Sequence, residues 1–246
     1  MSLESSIGDL VTKTNLLLDY FGGKKAGIDA AVAAAIAAIP SGDKTYYVNQ
    51  LTGADTNDGS AGSPLKTIDK ALSNTPVGGL CTAFLQADYV MTDSITVRGR
   101  VLFVSSDTSG VLRKLTSGYA LSPSGLSNML HGIYGFGGPS ILLRDIEVVL
   151  PSATGLNPAP AGNNNCFFRT LDIGASPMLP IKLSSCKFTD VAGATAFLAT
   201  AAYTAVMLEV YQTTFPSGMA GRYFIGVTAG ANANTLANVM TNLSTL

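Results

Sequence analysis

Asp145 and Glu147 stand two residues apart in the stretch ILLRDIEVVL. Along a strand, residues i and i+2 share a face. The two carboxylates are therefore expected side by side, with Ile146 and Val148 turned the other way. Paired carboxylates can cleave a glycosidic bond, one as acid and the other as base or nucleophile. The same placement also reads as a solvated outer face, with Glu147 stacked against Lys187 of an aligned strand. The chain has three Glu in all, and Glu4 is remote from the pair. His131, the single histidine, lies in SNMLHGIYGFGG without a local partner. It reads as a general base or as a loop or core histidine. No G-x-S-x-G nucleophile elbow is present.

Sugar binding without cleavage needs aromatic platforms. Tyr134 and Phe136 fall in the glycine-rich HGIYGFGGP and are the candidate stacking rings. Tyr119, Tyr203 and Tyr211 are further candidates, and core or interface rings are the plainer reading of all five. Trp is absent. The loop GADTNDG carries Asp55, Asn57 and Asp58, but its glycine comes one residue too early for an EF-hand and no ligating glutamate follows. A lone calcium there stays open. Lys66-Thr67 follows Leu65 rather than glycine, which excludes a phosphate-binding P-loop. Cys81, Cys166 and Cys186 are odd in number and lack C-x-x-C spacing, so they read as buried thiols. No metal site and no cofactor is expected.

These residues need a scaffold. Charged residues make up 13% of the 246-residue chain, about half the usual share, and 47% are apolar. Such a chain stacks on itself or on copies of itself. The net charge of −1, with basic residues scattered, argues against nucleic acid as a partner. The opening MSLESSIGDL lacks the basic start and apolar core of a secretory signal. The apolar run Ala30 to Ile39 is too short for a bilayer, so no membrane insertion is expected.

Leu3, Ile7, Leu10, Thr14, Leu17 and Phe21 follow heptad spacing. Gly22-Gly23 is expected to break this helix. A second run carries Ile28, Val32, Ala35 and Ile39 and stops at Pro40-Ser41-Gly42. Three heptads are marginal alone. The seam predicts a parallel homo-oligomeric stalk over residues 1–40, with Thr14 able to set register. Two helices folded onto the main domain are the alternative.

Beyond Pro40 the pattern changes to short strands with Gly, Asn, Ser and Asp turns. Ile141–Val148 aligns with Ile181–Phe188, and more loosely with Val206–Thr213. The shared form is apolar-x-Leu-x-x-apolar-x-apolar: two inward positions, a corner, then two more inward positions. Strands are also expected at 82–87, 94–98 and 101–105. This pattern predicts a mainly β fold, a right-handed parallel β-helix body over 73–230, with a β-sandwich as the alternative. Residues 41–72 read as linker and cap, and 231–246 as a C-terminal tail.

The stretch YYVNQLTGADTNDGSAGSPLKTIDKAL, Tyr46 to Leu72, resembles the lead-in of right-handed parallel β-helix proteins, notably bacteriophage tailspikes and tail fibres. GMAGRYFIGVTAG, Gly218 to Gly230, resembles late segments of phage fibres more weakly. In the lead-in, Pro64, Leu65, Thr67, Ile68 and Leu72 form a capping helix, with Ser63 as its cap and one apolar face to plug the first coil. The resemblance implies a homotrimeric virion protein of the phage tail, made in the bacterial host cytoplasm. Its stalk, a trimeric coiled coil, would dock on tail or baseplate proteins. Its body would meet host-surface polysaccharide. Some relatives depolymerise such glycans, which keeps a glycosidase or lyase as the alternative function.

Overall fold

The computed structural model describes residues 2–37, 42–170, 176–202 and 204–246. The chain divides into two compact units, Met1–Ser41 and Gly42–Leu246. Ile39 of the expected seam, the Pro40-Ser41 stop and the ring of Tyr203 lie outside the described residues.

The first unit is one uninterrupted helix, α1 (Leu3–Ala37). Gly22-Gly23 does not break it, contrary to expectation. Each glycine costs about 1 kcal/mol against alanine, and good helix formers on both sides hold the turn. The seam residues Leu3, Ile7, Leu10, Leu17, Phe21, Ile28 and Val32 are between 52% and 78% exposed. Thr14 donates its hydroxyl to the Leu10 carbonyl, 2.8 Å away, inside its own helix. Ala35 lies within α1, and nothing further is described of its side chain. Among the described residues, no helix is long and apolar enough to cross a membrane.

The second unit is built from parallel strands. Sheet A has seven, in the order Asp43–Val48, Leu80–Leu85, Val101–Ser106, Ser140–Arg144, Met178–Ser184, Ala205–Tyr211 and Val239–Thr241. Sheet B has four: Lys187–Asp190, Ile146–Leu150, Arg113–Thr116 and Tyr89–Val90. Sheet C has four: Phe197–Ala199, Cys166–Thr170, Ile133–Phe136 and Ile95–Arg98. Tyr119–Leu121 and Asn128–Leu130 form a separate antiparallel pair. A second helix, α2 (Ile68–Asn74), buries Ile68, Ala71 and Leu72.

This layout corrects the expectation of a mainly β right-handed parallel β-helix. The described strands form several parallel sheets with two helices, an arrangement of α/β type. The reason lies in the unequal sheets. Among the described residues, the first strand and the last two strands of sheet A have no counterpart strands in sheets B and C, and an antiparallel pair interrupts the path between B and C.

Alternation along each strand sends every second side chain into the core. In sheet A, Cys81, Leu102, Ile141, Ile181 and Leu208 stand in register as one buried row. In sheet B the row is Leu115, Val148 and Phe188. The aligned segments at 141 and 181 pair as expected. The third segment is shifted by two residues, because Ile181 pairs with Leu208 and not with Val206. The tail assignment for 231–246 is also corrected. Val239–Thr241 extends sheet A, and Leu246 is buried.

Candidate functional site

The carboxylate pair does not form on one strand face. Asp145 is the corner residue between sheets A and B, with φ 53°. Ser185 (φ 52°) and Gln212 (φ 45°) turn the next two passes at the equivalent position. The left-handed backbone at Asp145 takes its carboxylate off the alternation that continues from Ile146 to Leu150. Asp145 is buried, with Arg144 Nε 3.8 Å from Oδ2.

Glu147 stays on the outer face of sheet B. Its neighbours in register are Lys114 and Lys187. Thr189 Oγ1 donates to Glu147 Oε1 at 2.7 Å, and Lys187 Nζ lies 3.1 Å from the same oxygen. The Thr189 hydroxyl, followed by the Lys187 ammonium, holds the Glu147 carboxyl below its usual range. A general acid needs the opposite, a carboxyl kept protonated near neutral pH. The Lys114–Glu147–Lys187 ladder therefore sets one carboxylate between two ammoniums across three strands. A carboxyl held ionised in this way is not suited to be the proton donor of a catalytic pair.

His131 is buried, and its Nδ1 lies 2.8 Å from the Met91 carbonyl. That contact fixes Nδ1 as the donor and ties the ring to the backbone. Tyr134 is not an exposed platform. Ile133–Phe136 is a strand of sheet C, and Tyr134 is buried beneath the Arg169 guanidinium, 4.0 Å from the ring centre. Phe136 is half-buried with Arg98 over its face at 4.4 Å. Gly132 and Gly135 of this segment serve close packing, since a Cβ on Gly132 would overlap the Phe167 carbonyl and one on Gly135 the Leu179 side chain.

Arg169 was not singled out by sequence. It is fully buried, and its guanidinium donates to the carbonyls of Asn164, Cys166 and Leu130 and to the Tyr134 hydroxyl. Burial lowers its pKa from the usual arginine value. The available signal was an arginine inside the apolar run CFFRT. Tyr119 Oη donates to Asn165 Oδ1 at 2.6 Å, and Asn165 Nδ2 donates to the Thr195 carbonyl at 3.0 Å. Asn165 and Thr195 line an open cleft of about 580 Å³ with Thr154, Pro160 and Phe197. Asn165 is thus satisfied by the fold itself.

The lead-in loop works as a brace. Asp55 accepts from the Lys66 and Thr67 amides and from the Thr67 hydroxyl, at 2.9–3.0 Å. Thr67, not Ser63, caps α2 by accepting from the Lys70 amide. Pro64 and Leu65 precede the helix and do not belong to it. Both are buried, and Leu65 bridges in parallel to Val48. No group of acidic, His or Cys side chains among the described residues has the arrangement of a metal site. The three cysteines are free and buried, and burial pushes the Cys166 thiol up to about 12.

No family model matches the chain, and no curated protein does either. Two solved structures of GH136 lacto-N-biosidase from Eubacterium ramulus overlap with it at 14% sequence identity. The native protein gives a TM-score of 0.46 over 74% of this chain and 36% of that one. The selenomethionine derivative gives 0.45 over 70% and 34%. The chain spans about a third of the length of these structures. Overlap at this level brings no activity with it.

Proposed function

We propose that this chain is a structural subunit of a bacteriophage tail fibre or tailspike. In this reading it is a homotrimer joined through α1, held in the virion tail by tail or baseplate proteins, with its body turned to host-surface polysaccharide. The observation that carries the reading is the exposed seam of α1, apolar at heptad spacing through Leu3, Ile7, Leu10, Leu17 and Phe21. A lone helix with that stripe in water gains from burying it against copies of itself. The resemblance of Tyr46 to Leu72 to phage lead-in segments supplies the virion setting. The corner position and burial of Asp145, off the strand face that carries Glu147, favour a binding or structural role over depolymerisation.

Light scattering on the full chain tests this. A mass three times that of one chain at micromolar concentration is expected. Leu10→Glu combined with Leu17→Glu should return the monomer. A monomeric parent chain overturns the reading.

A further inference from the structure

We infer that the side chains of Gln50 and Asn242 are stoppers, set where the strand stack of the second unit would otherwise accept an edge strand from another copy of this chain. The inference does not depend on the reading of α1.

A stack of parallel strands ends in backbone groups that point outward, and such edges pair readily with another chain. In a stack the hazard has a direction. The first edge of one copy could take the last edge of the next, and a head-to-tail contact of that kind repeats without closing. Main chain covers part of each end. At the first, Tyr47 of sheet A donates its amide to the Gly59 carbonyl at 2.8 Å, and its carbonyl accepts from the Leu65 amide at 2.9 Å. At the last, Thr214 bridges in parallel to Lys187 of sheet B, and Phe224 to Ala199 of sheet C.

Elsewhere a side-chain amide takes the place of main chain. Tyr89–Val90 is the edge strand of sheet B. The next residue, Met91, donates inward to the Thr116 carbonyl at 2.9 Å. Backbone groups alternate sides along a strand, so those of Val90 point away from the sheet. Gln50 meets both of them. Its Nε2 donates to the Val90 carbonyl at 2.8 Å, and its Oε1 accepts from the Val90 amide at 2.7 Å. The preceding Asn49 turns the chain there, its Oδ1 accepting from the Leu51 and Thr52 amides at 3.0 and 3.2 Å.

At the other end, the edge strand of sheet A stops at Thr241, level with Leu208. Val210 lies beyond that point on the neighbouring strand, and Asn242 meets it. Asn242 Nδ2 donates to the Val210 carbonyl at 2.7 Å, and Oδ1 accepts from the Val210 amide at 2.9 Å. Asn and Gln carry a donor and an acceptor on one planar amide, as the backbone does. Each therefore fills both positions that an incoming strand would need. The same two-bond closure recurs at opposite ends of the stack.

The test is light scattering on the full chain over a concentration series, each variant compared with the parent. Gln50→Ala and Asn242→Ala each open one end. Each is expected to raise the parent mass about twofold, by pairing of like edges. The double variant is expected to grow further with concentration, and electron microscopy should show filaments. Val90→Lys separates edge pairing from loss of structure. The Val90 side chain is 53% exposed, and lysine on an edge strand opposes pairing with another chain. Added to Gln50→Ala, it is expected to restore the parent mass. A double variant that keeps the parent mass overturns the inference. So does growth of Gln50→Ala that Val90→Lys leaves unchanged.

Discussion

Sheets A and B are made alike on the inside and differently on the outside. Each turns a row of fully buried apolar side chains inward: Leu102, Ile141 and Ile181 in A, Leu115, Val148 and Phe188 in B. Outward, sheet B carries the ladder Lys114, Glu147 and Lys187. Sheet A carries Phe103, Leu142, Met207 and Met240 in the same kind of position. The backbone therefore does not decide what an outer face is for. Side-chain choice does: this row of sheet B is charged, while sheet A mixes apolar side chains with the Lys182–Glu209 pair.

The largest effects should fall inside, where the sheets agree. Phe188→Ala in sheet B is expected to cost about 3–5 kcal/mol, and Leu143→Ala in sheet A about 2–5 kcal/mol, from lost burial and the cavity left behind. Urea unfolding of both variants checks this. If one sheet tolerates truncation, the inner faces are not equivalent. At the brace that leads into the sheets, Thr67→Ala should cost about 1–2 kcal/mol through loss of the α2 cap, read from the same denaturation midpoints.

The outer faces should respond weakly in stability and differently in kind. Glu147→Gln removes the charge of the sheet B ladder and is expected to cost about 0.5–1 kcal/mol. Its pH dependence has a defined sign. The folded-state pKa of Glu147 is depressed. Its contribution is therefore present above the unfolded value of about 4.3 and is lost as pH falls below that through the folded pKa. The stability gap between parent and variant should close in acid, and a gap that widens there would contradict the ladder. Met207→Ser on sheet A should change the stability of the isolated chain by less than about 0.5 kcal/mol, because Met207 lies on the exposed outer face.

Much of the strand pairing is legible in the residues. The form shared by Ile141–Val148 and Ile181–Phe188 fixes two strands, the corner between them and their register. The shift at Val206–Thr213 has a simple cause. Val206, Leu208 and Val210 are all apolar at period two, so a two-residue displacement leaves the same side chains facing inward. The turn at 53–63 and the apolar face of the helix through Ile68 and Leu72 were legible, though the helix begins at Ile68 rather than Pro64. Sheet C was not legible where it mattered most. HGIYGFGG reads as loose because of its glycines, yet Gly132 is there to let the Phe167 backbone approach. CFFRT hides a buried arginine whose partners are carbonyls distant in sequence, and no local pattern announces them. The fold as a whole was misjudged because the repeated form describes sheets A and B and is silent on C.

The corners at Asp145, Ser185 and Gln212 have a consequence for how the chain can vary in length. From Arg144 to Ile146, sheet A hands over to sheet B through a single residue. An insertion there would reverse the alternation and turn Ile146, Val148 and Leu150 to solvent. The passage from Leu150 to Cys166 runs through fifteen residues, 151–165, and from Asp190 to Phe197 through six, 191–196. In this pass the Asp145 corner meters the chain like a ruler, and the stretch 151–165 holds its slack. Natural variation in length should therefore collect in 151–165 and avoid the corner at Asp145.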